Sequence, residues 1–563
     1  MKILGINYLS ESSISYMDDG KLKFSISEER INRVKNWYGN PFKSIDKFLN
    51  KHQIDIKDID CIATHGIAVN KKGLPNSKNY LKKIKLVKKS KLKKSEKEYI
   101  IKQFNLRKIK ENLATKRATK LITALKKKYK KKIYIFDHHE CHAASAAFFS
   151  GWDNSYIMTA DGWGDGYSSK LLSFKNNKLK LIRSSSLLDS LGYFYGSITK
   201  LLGYKPHRHE GKILGLAAYG NPDKAYNEIA SMISFDFKKK NFVSHPEKGL
   251  YLPLFENNNL KKLLKKYSKK DIAAATQKRL EDIVIEYIKS IKGKNFYLTL
   301  AGGVFSNVKL NQKIRELKKV KDIFIFPNMG DGGLSVGACC LCQNKLKKIK
   351  SSRLNDYYLG FEYSNKEIYD EIKNFKLKYS TNKNLPSFIA QKLKQGKIVA
   401  LFQGKSEFGP RSLGNRSILV SATNSKINSS LNKKLGRTEF MPFAPITLDK
   451  QAKNMYLKFN KGKYASKFMT STFNCTNKMK KISPATVHVD GTARPQIIFK
   501  NQNPIAYEIL EKYFKLTKIP NLINTSFNMH EEPIVCSPKD ALKSFRRSKI
   551  DYLFIGKFLI KRS

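Results

Sequence analysis

Three of the chain's 10 histidines, His138, His139 and His142, fall within five positions, where the strand-like run 133–137 gives way to the small-residue run 143–147. In a helix that starts near His138, positions 138 and 142 stand one turn apart on one face, and both imidazoles can reach a single ion. A polar helix start that only satisfies its own backbone is the plainer alternative. Two histidines do not fill a coordination shell, so a metal reading requires a further ligand, preferably a carboxylate, from elsewhere in the chain. Asp331 meets that requirement. It sits in Gly330-Asp331-Gly332-Gly333 after an expected strand ending at Pro327, where glycines let the backbone approach a bound anion. An ordinary turn aspartate would read the same way. Two imidazoles and one carboxylate suit iron, manganese or zinc and leave positions for water or a substrate oxygen.

Other segments carry compatible chemistry. Asp161-Gly162-Trp163-Gly164-Asp165-Gly166 puts two carboxylates in a glycine turn after the expected strand 155–159, a setting for a metal-bound water, a ribose or another small polar group. Gly302-Gly303, followed by Asn307 and Asn311, is expected to cradle a nucleotide, although the P-loop pattern is absent. Lys405, Arg411 and Arg416 crowd into one glycine-rich run, and guanidinium forks hold phosphate or carboxylate through paired bonds. His488, Asp490 and Arg494 share a seven-residue segment, and Asn524 opens the polar run 524–528. A solvated basic surface explains one such segment but explains three poorly; together they suit electrostatic handling of a phosphorylated intermediate. Nothing around Cys475 marks it as a nucleophile.

These groups need more than one core to hold them. At 563 residues and 41% hydrophobic content the chain is expected to form two α/β domains, 1–350 and 357–563, with a polar surface connection around 344–356. Strands are expected at 2–6, 22–27, 61–63, 297–300 and 323–326, and the lysine-dense stretch 81–132 reads as long surface helices. Cys339, Cys340 and Cys342 sit among apolar residues and read as reduced thiols on a buried helix. The net charge of +62, from 108 basic and 46 acidic side chains, is spread along the chain and reads as a solvated surface. Nucleic acid is therefore not the expected partner; phosphorylated substrates, and weakly an anionic membrane surface, are compatible. Neither a signal-peptide apolar region nor a membrane-length apolar run is present, so a soluble, cytoplasmic protein is expected.

The motifs recur in a recognisable order. Glu28-Glu29-Arg30 with Arg33-Val34-Lys35, the cluster 138–142, 161–165, His209-Glu210-Gly211-Lys212, 301–311, 330–337, 408–416, Pro442-Phe443-Ala444-Pro445, 488–496, 524–528 and Glu532-Pro533-Ile534-Val535 resemble the O-carbamoyltransferase family. That family includes nodulation carbamoyltransferases and antibiotic-tailoring enzymes, and the resemblance runs from Gly5 to about Phe558. It implies an N-terminal domain of the duplicated actin and sugar-kinase-like fold and a YrdC-like C-terminal domain. The implied reaction takes the carbamoyl group of carbamoyl phosphate, through carbamoyl adenylate made from ATP with Mg2+, to a hydroxyl of a sugar or secondary metabolite. Ferrous iron or another divalent ion would bind His138, His142 and Asp331, and Asp161 would join the two histidines in catalysis. Gly302, Gly303, Asn307, Asn311, Gly330, Asp331 and Gly332 would hold the nucleotide. Lys405, Arg411, Arg416, His488, Asp490, Arg494 and Asn524 would activate carbamoyl phosphate beside ATP. One loop departs from the pattern: where members usually carry His-Asp after the first strand, this chain has Ser10-Glu11-Ser12-Ser13, with Glu11 in the histidine's place as a weaker proton acceptor. Trp37 likewise stands where a histidine is common. Threonylcarbamoyl transfer to transfer RNA, and a catalytically impaired binding or scaffold protein of the same fold, are the alternatives.

Overall fold

Strands buried on both faces must be apolar almost throughout, and the run 2–6 meets this, with Ile3, Leu4 and Ile6 wholly buried. The structure, a computed structural model, describes residues 1–66, 77–249, 258–354, 356–381, 384–436 and 441–562. It is mixed α/β, in two units: residues 1–9, 16–21 and 55–353 form one, and residues 10–15, 22–54 and 354–563 the other. One sheet takes the order β3-β2-β1-β4-β5, from β1 (Lys2–Asn7), β2 (Ser13–Asp18), β3 (Lys21–Ser27), β4 (Cys61–His65) and β5 (Ile133–Phe136), with β1, β4 and β5 parallel. A second sheet contains β6 (Asn154–Gly164), β7 (Tyr167–Lys175) and β8 (Lys178–Ser186); β9 (Ile233–Asp236) and β10 (Asn241–Ser244) form a separate hairpin. With β11 (Phe296–Ala301) and β12 (Val320–Ile325) that second sheet runs β12-β11-β6-β7-β8, in which β6, β11 and β12 are parallel and β7 and β8 antiparallel. Each sheet thus has a lead strand with a hairpin on one side and two parallel strands on the other.

Two helices bring the ends of these strands together. Helix His138–Phe148 starts where expected because Asp137, as its N-cap, accepts from the Glu140 N–H at 2.9 Å. Its Ala143, Ala144, Ala146 and Ala147 are wholly buried, which lets a second helix, Leu334–Leu346, come within backbone contact. At the crossing a Cβ on Gly337 would lie 1.8 Å from the Cys141 carbonyl oxygen, and a Cβ on Gly5 of β1 would lie 2.1 Å from that of Ser335. Cys339, Cys340 and Cys342 are buried on that second helix and form no disulfide, as expected. The expected surface helices are Ser77–Lys89 and Lys94–Tyr129. The strand expected over 155–159 instead continues to Gly164. Its register against β7 shifts between Ala160 and Gly164, an irregularity of the kind that re-aims a side chain, and the chain reverses at Asp165-Gly166.

The second unit is built on an eight-stranded sheet. Its strands are β13 (Ser380–Thr381), β14 (Val399–Phe402), β15 (Arg416–Ser421) and β16 (Ala444–Leu448), then, beyond the short pair β17 (Phe473–Asn474) and β18 (Thr492–Ala493), β19 (Gln496–Ile498), β20 (Asn521–Ser526), β21 (Tyr552–Ile555) and β22 (Phe558–Lys561). The order is β13-β22-β21-β14-β15-β20-β16-β19. Side chains alternate across it: Ala400 and Phe402 enter a core with Ala541, Leu542 and Phe545, while Val399 and Leu401 enter another with Ile389, Leu393 and Leu510. No helix among the described residues is long and apolar enough to cross a membrane. Replacing Gly337 by alanine forces the two helices of the first unit apart, and thermal or denaturant unfolding should show a loss of about 1–3 kcal/mol; an unchanged midpoint would contradict the close crossing.

Candidate functional site

The crossing delivers side chains from three chain segments to one point. His138 and His142 come from the first turns of their helix, Asp161 from the irregular part of β6, and Asp331 from the glycine loop ahead of helix Leu334–Leu346. One ligand atom from each of the four lies within 4.8 Å of the others. His142 Nε2 is 3.1 Å from Asp161 Oδ2 and 3.6 Å from Asp331 Oδ1, and His138 Nε2 is 3.7 Å from each carboxylate. The expected trio is therefore together, and Asp161, expected only as a catalytic group, stands among its donors. His138 Nε2 is buried without a hydrogen-bond partner. Two imidazole nitrogens and two carboxylate oxygens around such an orphaned atom fit a transition-metal ion.

Neighbouring groups fix each donor. The His138 N–H donates to Asp165 Oδ2 at 2.8 Å, and a Cβ on Gly164 would lie 2.1 Å from the His138 ring, so glycine is required beside it. Asp161 Oδ1 accepts from the Gly162 N–H at 2.7 Å, leaving Oδ2 to the imidazoles. His139 points away, as expected: its Nε2 donates to the Tyr167 carbonyl at 3.1 Å, its Nδ1 meets Thr159 Oγ1, and burial pushes its pKa down to about 3. Asp137 forms a buried 2.7 Å ion pair with Lys170. Asn7 and His65 were not legible as site residues. Asn7 Nδ2 donates to the Asp331 carbonyl at 2.9 Å, while its Oδ1 lies 2.9 Å from His65 Nε2. The His65 ring stacks on Tyr8 and meets His138 edge-on at 5.4 Å, and burial, followed by the neighbouring imidazoles, holds it well below the usual histidine range. A histidine closing an apolar parallel strand was the available signal.

The glycine loops divide between openness and bracing. Gly302 has φ +101, and a Cβ there would lie 2.2 Å from the Ala160 carbonyl oxygen, while Gly303 opens a short turn beside Asp161. Asn307 caps helix Val308–Arg315 and exchanges hydrogen bonds with Gln277, and Asn311 is wholly buried and donates to the Phe305 carbonyl. Both therefore shape the loop from behind. Gly330 accepts from the Gly333 N–H, and Gly332 lies against the Asn328 side chain, so the turn bearing Asp331 is closely held.

In the second unit the three polar segments meet. Asn524 donates to Gln496 at 2.7 Å and to the Ser412 carbonyl, and Gln496 donates to the Leu413 carbonyl. Glu407 Oε1 accepts three backbone N–H groups, from Leu413, Asn415 and Arg416, and so sets the loop. Arg416 is wholly buried under Phe402, and its two terminal nitrogens donate to the carbonyls of Gln403, Asn415, Phe361 and Gly404. Its four terminal N–H groups are thus spent on backbone carbonyls, three of them in the loop itself. Lys405 lines an open cleft with Glu362 and Asn415. His488 Nδ1 is 3.5 Å from Asp490, whose carboxylate also holds Thr492; Arg411 and Arg494 lie on the same segments. Glu11 belongs to this unit's residues 10–15 and has φ +51, in the turn before β2.

Electrostatics in the first unit's cluster are asymmetric. Burial opposes ionisation of Asp161, but the adjacent His138 and His142 imidazoles outweigh it and hold that carboxyl well below the usual range. Burial, then the adjacent Asp161 charge, pushes Asp331 up to about 8. In metal-free protein Asp331 thus keeps its proton to about pH 8, while the unfolded chain releases it near its ordinary value of 3.8. The stability it contributes is present below the unfolded value and lost as pH rises through 8. In chelator-treated protein, the stability of the wild type relative to Asp331→Asn should fall across that interval in urea unfolding; a constant difference would contradict the assignment.

The model described as Carbamoyltransferase N-terminus matches residues 2–340, and Carbamoyltransferase C-terminus matches residues 390–562. An uncharacterized protein of Methanocaldococcus jannaschii, MJ1058, is 32% identical with both chains covered throughout. Nodulation protein NolNO of Sinorhizobium fredii is 30% identical over 99% of this chain and 79% of its own length. Nodulation protein NolO of Bradyrhizobium diazoefficiens is 31% identical over 76% of this chain and 79% of its own. On these matches, the chain belongs to the carbamoyltransferase family and is a transferase enzyme.

Proposed function

We propose that this carbamoyltransferase takes the carbamoyl group of carbamoyl phosphate, by way of a carbamoyl adenylate made from ATP, to a hydroxyl of a sugar or secondary metabolite. The observation that carries the reading is the four-donor cluster of His138, His142, Asp161 and Asp331, with the buried, unpartnered His138 Nε2 at its centre. His138, His142 and Asp331, with Asp161 beside them, would hold a divalent ion, iron by resemblance. Such an ion supplies a Lewis acid for phosphate oxygens and balances charge as a nucleotide leaves. The residues themselves orient and exclude. The Asp165 and Gly162 contacts fix the donors' directions, His139 stays neutral and out of the site, and close packing at Gly164 shuts water from behind His138. The backbone of the loops 302–306 and 330–333 offers N–H donors to a nucleotide's phosphates.

The strand order repeated in the two five-stranded sheets supports the duplicated actin and sugar-kinase-like reading of the N-terminal part of the chain. The convergence of 403–416, 488–496 and 521–526 supports the second unit, read as YrdC-like, as the place of activation. Lys405, Arg411, His488 and Arg494 would face the phosphates there, with Mg2+ accompanying ATP, while Arg416 holds their loop in shape. Carbamoyl adenylate, a mixed anhydride, hydrolyses readily, so separate activation and transfer sites within one chain would limit its loss.

Two measurements test this. Purified, metal-loaded protein should release pyrophosphate when given carbamoyl phosphate and ATP together, with no acceptor present, and neither alone should suffice; silence from folded protein would refute the reaction. His138→Ala should retain pyrophosphate release while its metal affinity, read by elemental analysis after dialysis, falls at least about tenfold. Asp161→Asn should lower metal affinity too; undiminished metal in both variants would place the ion elsewhere.

A further inference from the structure

Helix Lys94–Tyr129 runs for 36 residues, and its two sides differ in kind. One side is the folding face. Ile100, Phe104, Arg107, Glu111, Ala118 and Ile122 are buried there, and Phe104 and Ile100 join Tyr80 and Val87 of helix Ser77–Lys89 in one core cluster. Even its polar members are occupied: Arg107 pairs with Glu111, donates to the Tyr193 hydroxyl at 2.7 Å, and lies over the Trp163 ring.

The opposite side is built for something else. Leu106, Ile109 and Leu113 stand at helical spacing directly opposite that face, 39, 54 and 58% exposed. Lys102, Lys116, Lys120 and Lys127 flank this stripe within the same outward sector and are exposed. Beyond Glu98 the helix carries one carboxylate, Glu111, and it is buried on the far side. The neighbouring helix adds exposed Leu81 and Leu86 among further exposed lysines. A solvated helix needs the lysines but gains nothing from an outward apolar stripe.

We propose that this outward face docks the protein on an anionic lipid surface, with Leu106, Ile109 and Leu113 entering the headgroup boundary and the flanking lysines meeting lipid phosphates. Charge decides against a second copy of the same face, which would set lysine against lysine. The stripe decides against nucleic acid, whose backbone offers no apolar region to receive it. A lipid surface presents both chemistries at the required depths, acyl chains below and negative charge above. This inference is independent of the carbamoyl chemistry, because it concerns binding by the intact protein.

Sedimentation of the full chain with vesicles of phosphatidylcholine, alone or mixed with phosphatidylglycerol, tests it. Binding is expected to the anionic vesicles and to weaken with added salt. The triple variant Lys102→Ala, Lys116→Ala, Lys120→Ala should lower the partition coefficient about a hundredfold, and Leu106→Asn, Ile109→Asn, Leu113→Asn at least about tenfold. Both alter exposed positions, and an unchanged circular dichroism spectrum and melting point will show that the fold is intact. Replacing the exposed Lys378, Lys394 and Lys397 of the second unit by alanine serves as control and should leave binding within about twofold, each lysine near a surface counting for much more than that. Failure to bind anionic vesicles overturns the proposal, and so does equal loss in the control, which would assign the attraction to diffuse charge. Binding that needs the lysines but not the stripe overturns it too, and points to a polyanion such as nucleic acid.

Discussion

The first unit's chemistry depends on one close contact, the crossing of helices His138–Phe148 and Leu334–Leu346 where Gly337 lies against the Cys141 backbone. The two histidines begin one helix, and Asp331 immediately precedes the other. Any side chain at Gly337 would separate the helices and carry the imidazoles away from the carboxylate. The alanines of the first helix and the glycines at positions 5 and 337 therefore belong to the site as much as its ligands do. Small residues at a crossing cost some intrinsic rigidity, and burial of both helices between sheets supplies the compensation.

That contact creates an electrostatic tension. Two carboxylates are held side by side and largely screened from water, and the imidazoles stabilise one of them, Asp161, far better than the other. A buried like-charged pair is stable only if one member keeps a proton or a cation arrives. The orphaned nitrogen of His138 marks the same centre from the opposite side, since it has a lone pair or proton with no partner. A divalent ion would answer both demands at once. The rigid surroundings, from the Asp165 contact to the Asn7 link to the Asp331 backbone, hold the four donors ready for it.

Much of this was legible in the sequence, and the limits were physical. Helical spacing placed His138 and His142 together, and glycine patterning singled out Asp331. Asp161 was expected in a flexible turn, but the strand continues past it and an irregular register aims it at the imidazoles; alternation rules do not reveal a local register shift. Arg416 had the composition of an anion ligand, yet its terminal N–H groups go to backbone carbonyls, most of them in its own loop, and Asn307 and Asn311 brace theirs. Residue type announces hydrogen-bonding capacity, not which partner takes it. The chain also reads as two consecutive segments, whereas residues 22–54 group with the second unit. There Arg30 donates to the carbonyl of Gly409, 379 positions away, and Arg33 to that of Ile534, 501 away. Contacts at such separation leave no periodic trace in sequence. His65, isolated at the end of an apolar strand, had no neighbouring motif to mark it.

The central claim is that His138, His142, Asp161 and Asp331 form one metal centre. Anomalous diffraction from crystals of the iron-loaded protein, collected above and below the metal's absorption edge, tests it most directly. The account predicts one strong peak enclosed by the two Nε2 atoms and the two carboxylates. A peak elsewhere, or none at these residues in crystals whose metal content is stoichiometric, would contradict it.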